Sequence, residues 1–203
     1  MMESGAPKLI LASASTSRRQ LLSQAGVPFT AEPAHIDESE IKRSLQVEGA
    51  TVAQVAETLA ELKAQKVARG HPSALVLGAD QMLDHDGAWL DKPNDRAQAR
   101  AQLLALAGGS HRLTSAQVLV ADGQRLWHHV QAATLTMRAF DEDFVDRYLD
   151  EVGDAALGSV GAYQLEGIGI QLFSRIDGDY FAILGLPLLP LLQILREHQV
   201  IPA

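Results

Sequence analysis

The segment Ser13-Ala14-Ser15-Thr16-Ser17-Arg18-Arg19 sets four hydroxyl side chains directly ahead of two arginines. It follows a short apolar run, Leu9-Ile10-Leu11-Ala12, and leads into a helical pattern that includes Leu21 and Leu22. The first turn of a helix offers unpaired N–H groups and the positive end of the helix dipole, so it favours an anion. Arginines are unfavourable at that end unless something negative lies nearby. The Ser17 to Gln20 spacing fits a capping box. The loop hydroxyls and an arginine fork are suited to phosphate oxygens. An ordinary capped helix with solvated arginines would explain the same residues. The loop is not a Walker motif, because it has serines where G-x-x-x-x-G-K-[ST] has glycines.

Asp80 closes the buried-type run Ala74-Leu75-Val76-Leu77-Gly78-Ala79. A carboxylate at that end of a strand sits where open α/β sheets place their ligands, and it can hold a cation or take a proton from water. Capping of the next turn is the plainer alternative. Lys63 falls on the apolar stripe of a long helix, four residues after Leu59 and four before Val67. Snorkelling accounts for such a lysine, and so does a neighbouring anion. Lys92 precedes Pro93 in a loop, and Asp37 and Glu38 offer hard oxygen ligands suited to Mg²⁺ or Mn²⁺. Each has a bland reading as a solvated loop residue. His128 and His129 would point to opposite faces of a strand and make a poor metal pair. Arginines, lysines and acids together suit a polyphosphate with a bridging cation, and so phosphoryl or nucleotidyl chemistry.

Alternating strand and helix patterns must position these residues, which indicates an α/β fold. A strand at 9–12 precedes a helix from about Arg18 to Ala25, stopped by Gly26. The stretch 32–49 reads as polar and irregular. Thr51 caps a helix reaching nearly to Gly70, with Val52, Val55, Ala56, Leu59, Leu62 and Val67 on one stripe. Beyond the strand ending at Asp80, a turn at Asp86-Gly87 and a helix from Arg96 to Ala107 are expected. Strands at 112–120 and 125–137 join around Asp122-Gly123, and Asp141 caps a helix to about Glu151. Strands at 171–176 and 180–184 flank Asp177-Gly178, and a last helix begins near Pro187. Three Asp-Gly turns imply antiparallel pairs, so the sheet is expected to be mixed.

The 203 residues are 47% hydrophobic, enough for one sizeable core, and a single domain over 1–203 is expected. A formal net charge of −8 argues against a general grip on nucleic acid or an anionic membrane. The absence of cysteine excludes disulfides, thiolate metal sites and cysteine nucleophiles, and fits a cytoplasmic protein. The apolar block from Ala182 to Leu192 is broken by Gly185, Pro187 and Pro190, too short and interrupted to span a bilayer.

The motifs in order resemble the Maf family of nucleoside triphosphate pyrophosphatases, also called septum formation inhibitor proteins. The resemblance rests on Leu11 to Arg19 with Leu21, Leu22 and Gly26, then Ile36-Asp37-Glu38, Leu59 to Ala64, Gly78-Ala79-Asp80 and Asp91-Lys92-Pro93. Gly161 to Gly167, Ile176 to Tyr180 and Gly185-Leu186-Pro187-Leu188 extend it over nearly the whole chain. It implies a Maf/ITPase-like α/β fold with a mixed, elongated sheet flanked by helices and two lobes around a nucleotide cleft. The implied reaction is hydrolysis between the α and β phosphates, giving a monophosphate and pyrophosphate with the help of a divalent cation, Mg²⁺ or Mn²⁺. It is compatible with a homodimer. Asp80 matches the family's proton acceptor; Ser13, Ser15, Arg18, Lys63 and Lys92 match its phosphate-binding positions; and Asp37 or Glu38, with Asp80, matches its metal or water acids.

Ser17, Gln81 and Glu166 match positions that separate the family's subgroups by base. Members acting on dTTP and UTP typically carry proline and arginine at the positions of Thr16 and Ser17, threonine at that of Gln81 and glutamine at that of Glu166. Gln81 and Glu166 look more like the subgroup acting on 7-methyl-GTP, although that subgroup often has tryptophan where Ser17 stands. A carboxylate can accept from a guanine-type N–H edge, so a modified purine or guanine-like base is expected. A non-catalytic nucleotide-binding regulator of cell division is the competing expectation, and the joint presence of Asp80, Lys63 and Lys92 argues against it. A nucleic-acid-binding module is disfavoured by the acidic charge.

Overall fold

The computed structural model describes residues 7–203. Among them are seven strands in one mixed sheet and seven α-helices. By internal packing the chain divides into two compact units. The first comprises the described residues up to Gln81 together with Ser115–Gln131 and Tyr180–Ala203. The second comprises Met82–Thr114 and Ala132–Asp179.

In the first unit, β1 (Leu9–Leu11) pairs in parallel with both β2 (Thr30–Ala31) and the start of β3 (Leu75–His85). Parallel strands need both faces covered, which is why Leu75 to Leu77 read as an unbroken apolar run. Side chains of odd number, Leu9, Leu11, Leu75, Leu77 and Ala79, join a core with Leu21 and Leu22 of α1 (Thr16–Gln24) and Leu188, Leu191 and Leu195 of α7 (Leu188–Glu197). Side chains of even number face α3 (Val52–Ala68), as the strand's alternation requires.

Gly78 lies on that even face. A Cβ there would stand 1.9 Å from the Ala60 carbonyl oxygen and 2.9 Å from the Ala64 nitrogen, so only glycine lets α3 approach this closely. The helix is held at its start by the full capping box that the sequence suggests, Thr51 with Gln54.

Several expectations are corrected. The cap of α1 is Ser15, whose Oγ accepts from the Arg18 backbone N–H at 3.3 Å, so the Ser17–Gln20 box does not form and the helix starts earlier. The stretch read as irregular contains α2 (Glu38–Val47), capped by Asp37. None of its residues is buried, and a helix without a buried stripe carries little periodic signal. β3 continues five residues past Asp80, which is therefore inside the strand and not at its end. Leu62 is partly exposed rather than part of the buried stripe. Residues Tyr180–Ile183 form a single helical turn, α6, instead of a strand, so Asp177-Gly178 does not make a hairpin.

In the second unit, the end of β3 turns through Asp86-Gly87 into antiparallel β4 (Ala88–Leu90), as expected. α4 (Arg96–Leu106) and α5 (Glu142–Val152) are joined by Arg100, which donates to Asp146 and Glu142, and by an Arg96–Asp150 pair. β5 (Ser110–Ala121) and β6 (Gln124–Met137) are each divided between the units, and β7 (Phe173–Asp177) pairs antiparallel with β6. The full order is β2-β1-β3-β5-β6-β7, with β4 on β3. Among the described residues no helix is long and apolar enough to cross a membrane.

Candidate functional site

Asp80 and Lys63 meet because α3 packs on Gly78, two residues before Asp80 on the same face of β3. Lys63 Nζ donates to Asp80 Oδ1 at 2.6 Å and reaches Glu38 Oε1 at 2.8 Å. Lys63 is 8% exposed and Asp80 4%, while the Glu38 side chain is partly exposed. The lysine on the apolar stripe thus bridges two carboxylates. Asp80 Oδ2 is buried and has no hydrogen-bond partner. An unpaired buried carboxylate oxygen is costly, so it marks a place where a proton, a water or a cation would be welcome. Burial raises the proton affinity of Asp80 above the ordinary carboxylate value, and the charges of Lys63 and Arg18 work against that rise. A carboxyl tuned upward is what proton transfer near neutral pH requires.

Arg18 is also buried, but its fork faces the protein. Nη1 donates to the Ala79 carbonyl at 2.8 Å and to Ser13 Oγ at 3.3 Å, and Nε donates to the Gly185 carbonyl at 2.9 Å. Burial lowers its pKa, opposed by the charges of Asp80 and Glu38. Ser13 Oγ accepts in turn from the Ser15 N–H at 3.2 Å. In these bonds the hydroxyls of Ser13 and Ser15 act as acceptors, so their own protons remain to donate to an anion.

Gln81 points to the opposite face of β3 from Asp80. Its Nε2 lies 3.0 Å from Ser115 Oγ, 3.1 Å from the Ala182 carbonyl and 2.9 Å from the Ile183 carbonyl. Asp37 is exposed, and its Oδ1 accepts from the Glu40 N–H at 2.9 Å. Its role in the structure is to start α2 and so to place Glu38. Ser17 lies on the first turn of α1. The first unit therefore gathers Ser13, Ser15, Arg18, Glu38, Lys63, Asp80 and Gln81. Lys92 and Glu166 are exposed residues of the second unit. Ser115, the partner of Gln81, was not legible in the sequence, since a serine inside an apolar strand carries no motif of its own.

Hard oxygen donors suited to a divalent cation are present in Glu38 and in the unpartnered Oδ2 of Asp80. Mg²⁺ is commonly bound by one or two carboxylates, with waters and substrate phosphates completing its shell. The donor set fits such an ion. Among the described residues no group of three or more His, Asp or Glu side chains forms a ready-made metal cage.

Fold and centre define a mixed α/β protein built around a buried carboxylate–ammonium pair beside an arginine. Residues 8–198 match the family described as Maf-like protein, and the chain belongs to that family. It is 59% identical to a protein of Paramagnetospirillum magneticum named nucleoside triphosphate pyrophosphatase, over 93% of this chain and 97% of that one. A protein of Granulibacter bethesdensis with the same name is 54% identical over 96% of this chain and 98% of its own. A protein of Rhizobium etli named 7-methyl-GTP pyrophosphatase is 54% identical over 94% of this chain and 96% of its own.

Proposed function

We propose that the chain is a nucleoside triphosphate pyrophosphatase working as one domain of 203 residues in the cytoplasm. The observation that carries the reading is the buried Lys63–Asp80 pair, in which Asp80 Oδ2 is buried without a hydrogen-bond partner. Support also comes from the names of the relatives, which are pyrophosphatases matched over nearly their full length.

In this reading a water oxygen bonds to the α-phosphorus while the bond from that phosphorus to the α–β bridging oxygen breaks. Asp80 takes the proton lost by the water. The products are the nucleoside monophosphate and pyrophosphate. Ser13 and Ser15 donate their hydroxyl protons to phosphate oxygens, and Arg18, Lys63 and Lys92 set positive charge against the polyphosphate. Lys63 also keeps Asp80 in place, through Oδ1. Glu38 and Asp80 would hold a divalent cation, Mg²⁺ or Mn²⁺, with Asp37 placing Glu38. When bound, that ion supplies charge neutralisation for the leaving pyrophosphate.

The base is proposed to be a modified or guanine-like purine, 7-methyl-GTP before dTTP or UTP. Gln81 and Glu166 both offer acceptor oxygens suited to guanine N–H groups, and Ser17 is the third selecting residue. Five relatives at 51–54% identity carry 7-methyl-GTP in their names.

The test is pyrophosphate release with Mg²⁺ and with Mn²⁺ from 7-methyl-GTP, GTP, dTTP and UTP. Release of monophosphate plus pyrophosphate, suppressed by a chelator, is expected. Asp80→Asn should lower kcat by about 10²–10⁴-fold, the usual share of a proton-transfer group, while nucleotide binding persists. Binding without hydrolysis in the wild type would replace the enzyme with a nucleotide-binding regulator. A preference for dTTP and UTP would sink the purine reading alone.

A further inference from the structure

Ser115 is 1% exposed, in the part of β5 that belongs to the first unit. Its hydroxyl donates to the Ala182 carbonyl at 2.7 Å. A serine has one such proton, so toward Gln81 Nε2, at 3.0 Å, Ser115 acts as an acceptor. The atom of Gln81 facing this corner meets three acceptors, Ser115 Oγ and the carbonyls of Ala182 and Ile183, and must therefore be the NH₂ group. Amide orientation is thus fixed by chemistry.

The Ala182 carbonyl also receives the Gly185 N–H at 3.0 Å. Gly185 has φ +90°, which turns its own carbonyl toward Arg18 Nε at 2.9 Å. A Cβ at Gly185 would lie 3.3 Å from that same Nε, so glycine is favoured there by conformation and by space. Arg18 then passes to the Ala79 carbonyl at 2.8 Å, the peptide directly before Asp80. Ser115, Ala182, Gly185, Arg18 and Ala79 form one continuous chain of hydrogen bonds ending at the strand that carries Asp80.

We infer that Ser115 is a positioning residue: through the Ala182–Gly185 turn it holds the Arg18 guanidinium against the backbone of Asp80. The inference rests on the pyrophosphatase reading for its kinetic consequence, and on geometry alone for the placement of Arg18. Ser115 does not touch the reacting atoms. Its effect reaches the reaction through Arg18, because small misplacements at a reacting centre are expensive.

A double-mutant cycle tests it. Ser115→Ala should lower kcat on the order of tenfold and leave KM within about threefold, a modest share of what an ångström of misplacement can cost. Ser115→Thr, which keeps the hydroxyl, should restore kcat. Within the Arg18→Lys background, where the fork is already lost, Ser115→Ala should add nothing. An equal loss in both backgrounds, or a fall in Tm with kcat unchanged, would show a purely structural serine and overturn the inference. If Ser115→Ala does not fold, Ser115→Cys, with its weaker donor, carries the same comparison. If the wild type releases pyrophosphate from no triphosphate, the enzyme reading fails by itself. The inference is then decided by the ¹⁵N-resolved Nε–H signal of Arg18. Slow solvent exchange in the wild type, lost in Ser115→Ala, supports it, and identical exchange in both overturns it.

Discussion

Burial acts on two titratable side chains in opposite senses. Asp80 has its proton affinity raised by burial, so the folded state holds that proton more tightly than the unfolded chain does. Its contribution favours folding at low pH and is lost as pH rises through the folded pKa. Asp80→Asn is therefore expected to lose activity while keeping or raising its urea midpoint at pH 7. A large loss of stability would mean that the ion pair with Lys63 outweighs the desolvation. In the wild type, kcat/KM should fall on the acid side with an inflection above the ordinary aspartate value of 3.8. His111 of β5 behaves differently. It is buried against Tyr163, with Nε2 2.7 Å from the phenol oxygen and Nδ1 unpartnered, and burial pushes its pKa down to about 4, with the nearby His85 adding to the effect. Between its ordinary 6.5 and about 4 the unfolded chain binds the proton and the folded one does not, so stability should fall as pH drops through that window. The gap corresponds to about 3 kcal/mol at its limit. Denaturant midpoints from pH 7 to 4.5 should show this slope, and His111→Phe should flatten it.

At the scale of elements, the contact between α3 and β3 decides whether a centre exists. The approach that brings Lys63 to Asp80 depends on the missing side chain of Gly78, whose Cβ would meet the backbone of Ala60 and Ala64. Gly78→Ala is expected to cost about 1–3 kcal/mol by overpacking, and to displace α3 enough to loosen the pair. Thermal unfolding and kcat should both drop. If the variant keeps its Tm and its activity, the helix has room that the geometry denies. The second carboxylate depends on a much weaker element, since α2 has no buried residue and is started by the Asp37 cap. Asp37→Ala removes that cap and should cost about 1 kcal/mol of local helix stability. The expected readout is faster amide exchange across 38–47, with higher metal demand if Glu38 serves the cation.

For the whole molecule, a formal charge of −8 opposes the approach of a polyanion. The positive charge proposed to receive a triphosphate is local, in Arg18, Lys63 and Lys92, and the first two are already set against carbonyls or carboxylates. Screening should therefore help encounter. Raising ionic strength from about 0.01 M to about 0.1 M, which shortens the Debye length from roughly 30 Å to roughly 10 Å, should increase kcat/KM modestly. A steep fall with salt would instead reveal a positive field steering the substrate.

Most elements with strong periodic or turn signals were legible in the sequence. The β1 strand, the Thr51-capped helix, the Asp86-Gly87 and Asp122-Gly123 hairpins and the mixed sheet follow from local patterns and backbone preferences. So did the residue types of the centre, and the ordered motifs pointed to the family that the comparison establishes. The tertiary structure decided which partners those residues meet. The sequence leaves Lys63 either a snorkelling lysine or one beside an anion, and α3, seated on Gly78, brings it to the carboxylates of Asp80 and Glu38. Arg18 looked like a fork for phosphate, yet two of its nitrogens hold carbonyls 61 and 167 residues away in the chain. Ser115 and Gly185 became meaningful only through the bonds that connect them. Local sequence governs conformation over a few residues, where propensity and periodicity act. Side-chain partners, desolvation and proton affinity depend on which distant segments pack together, and only the folded chain specifies that.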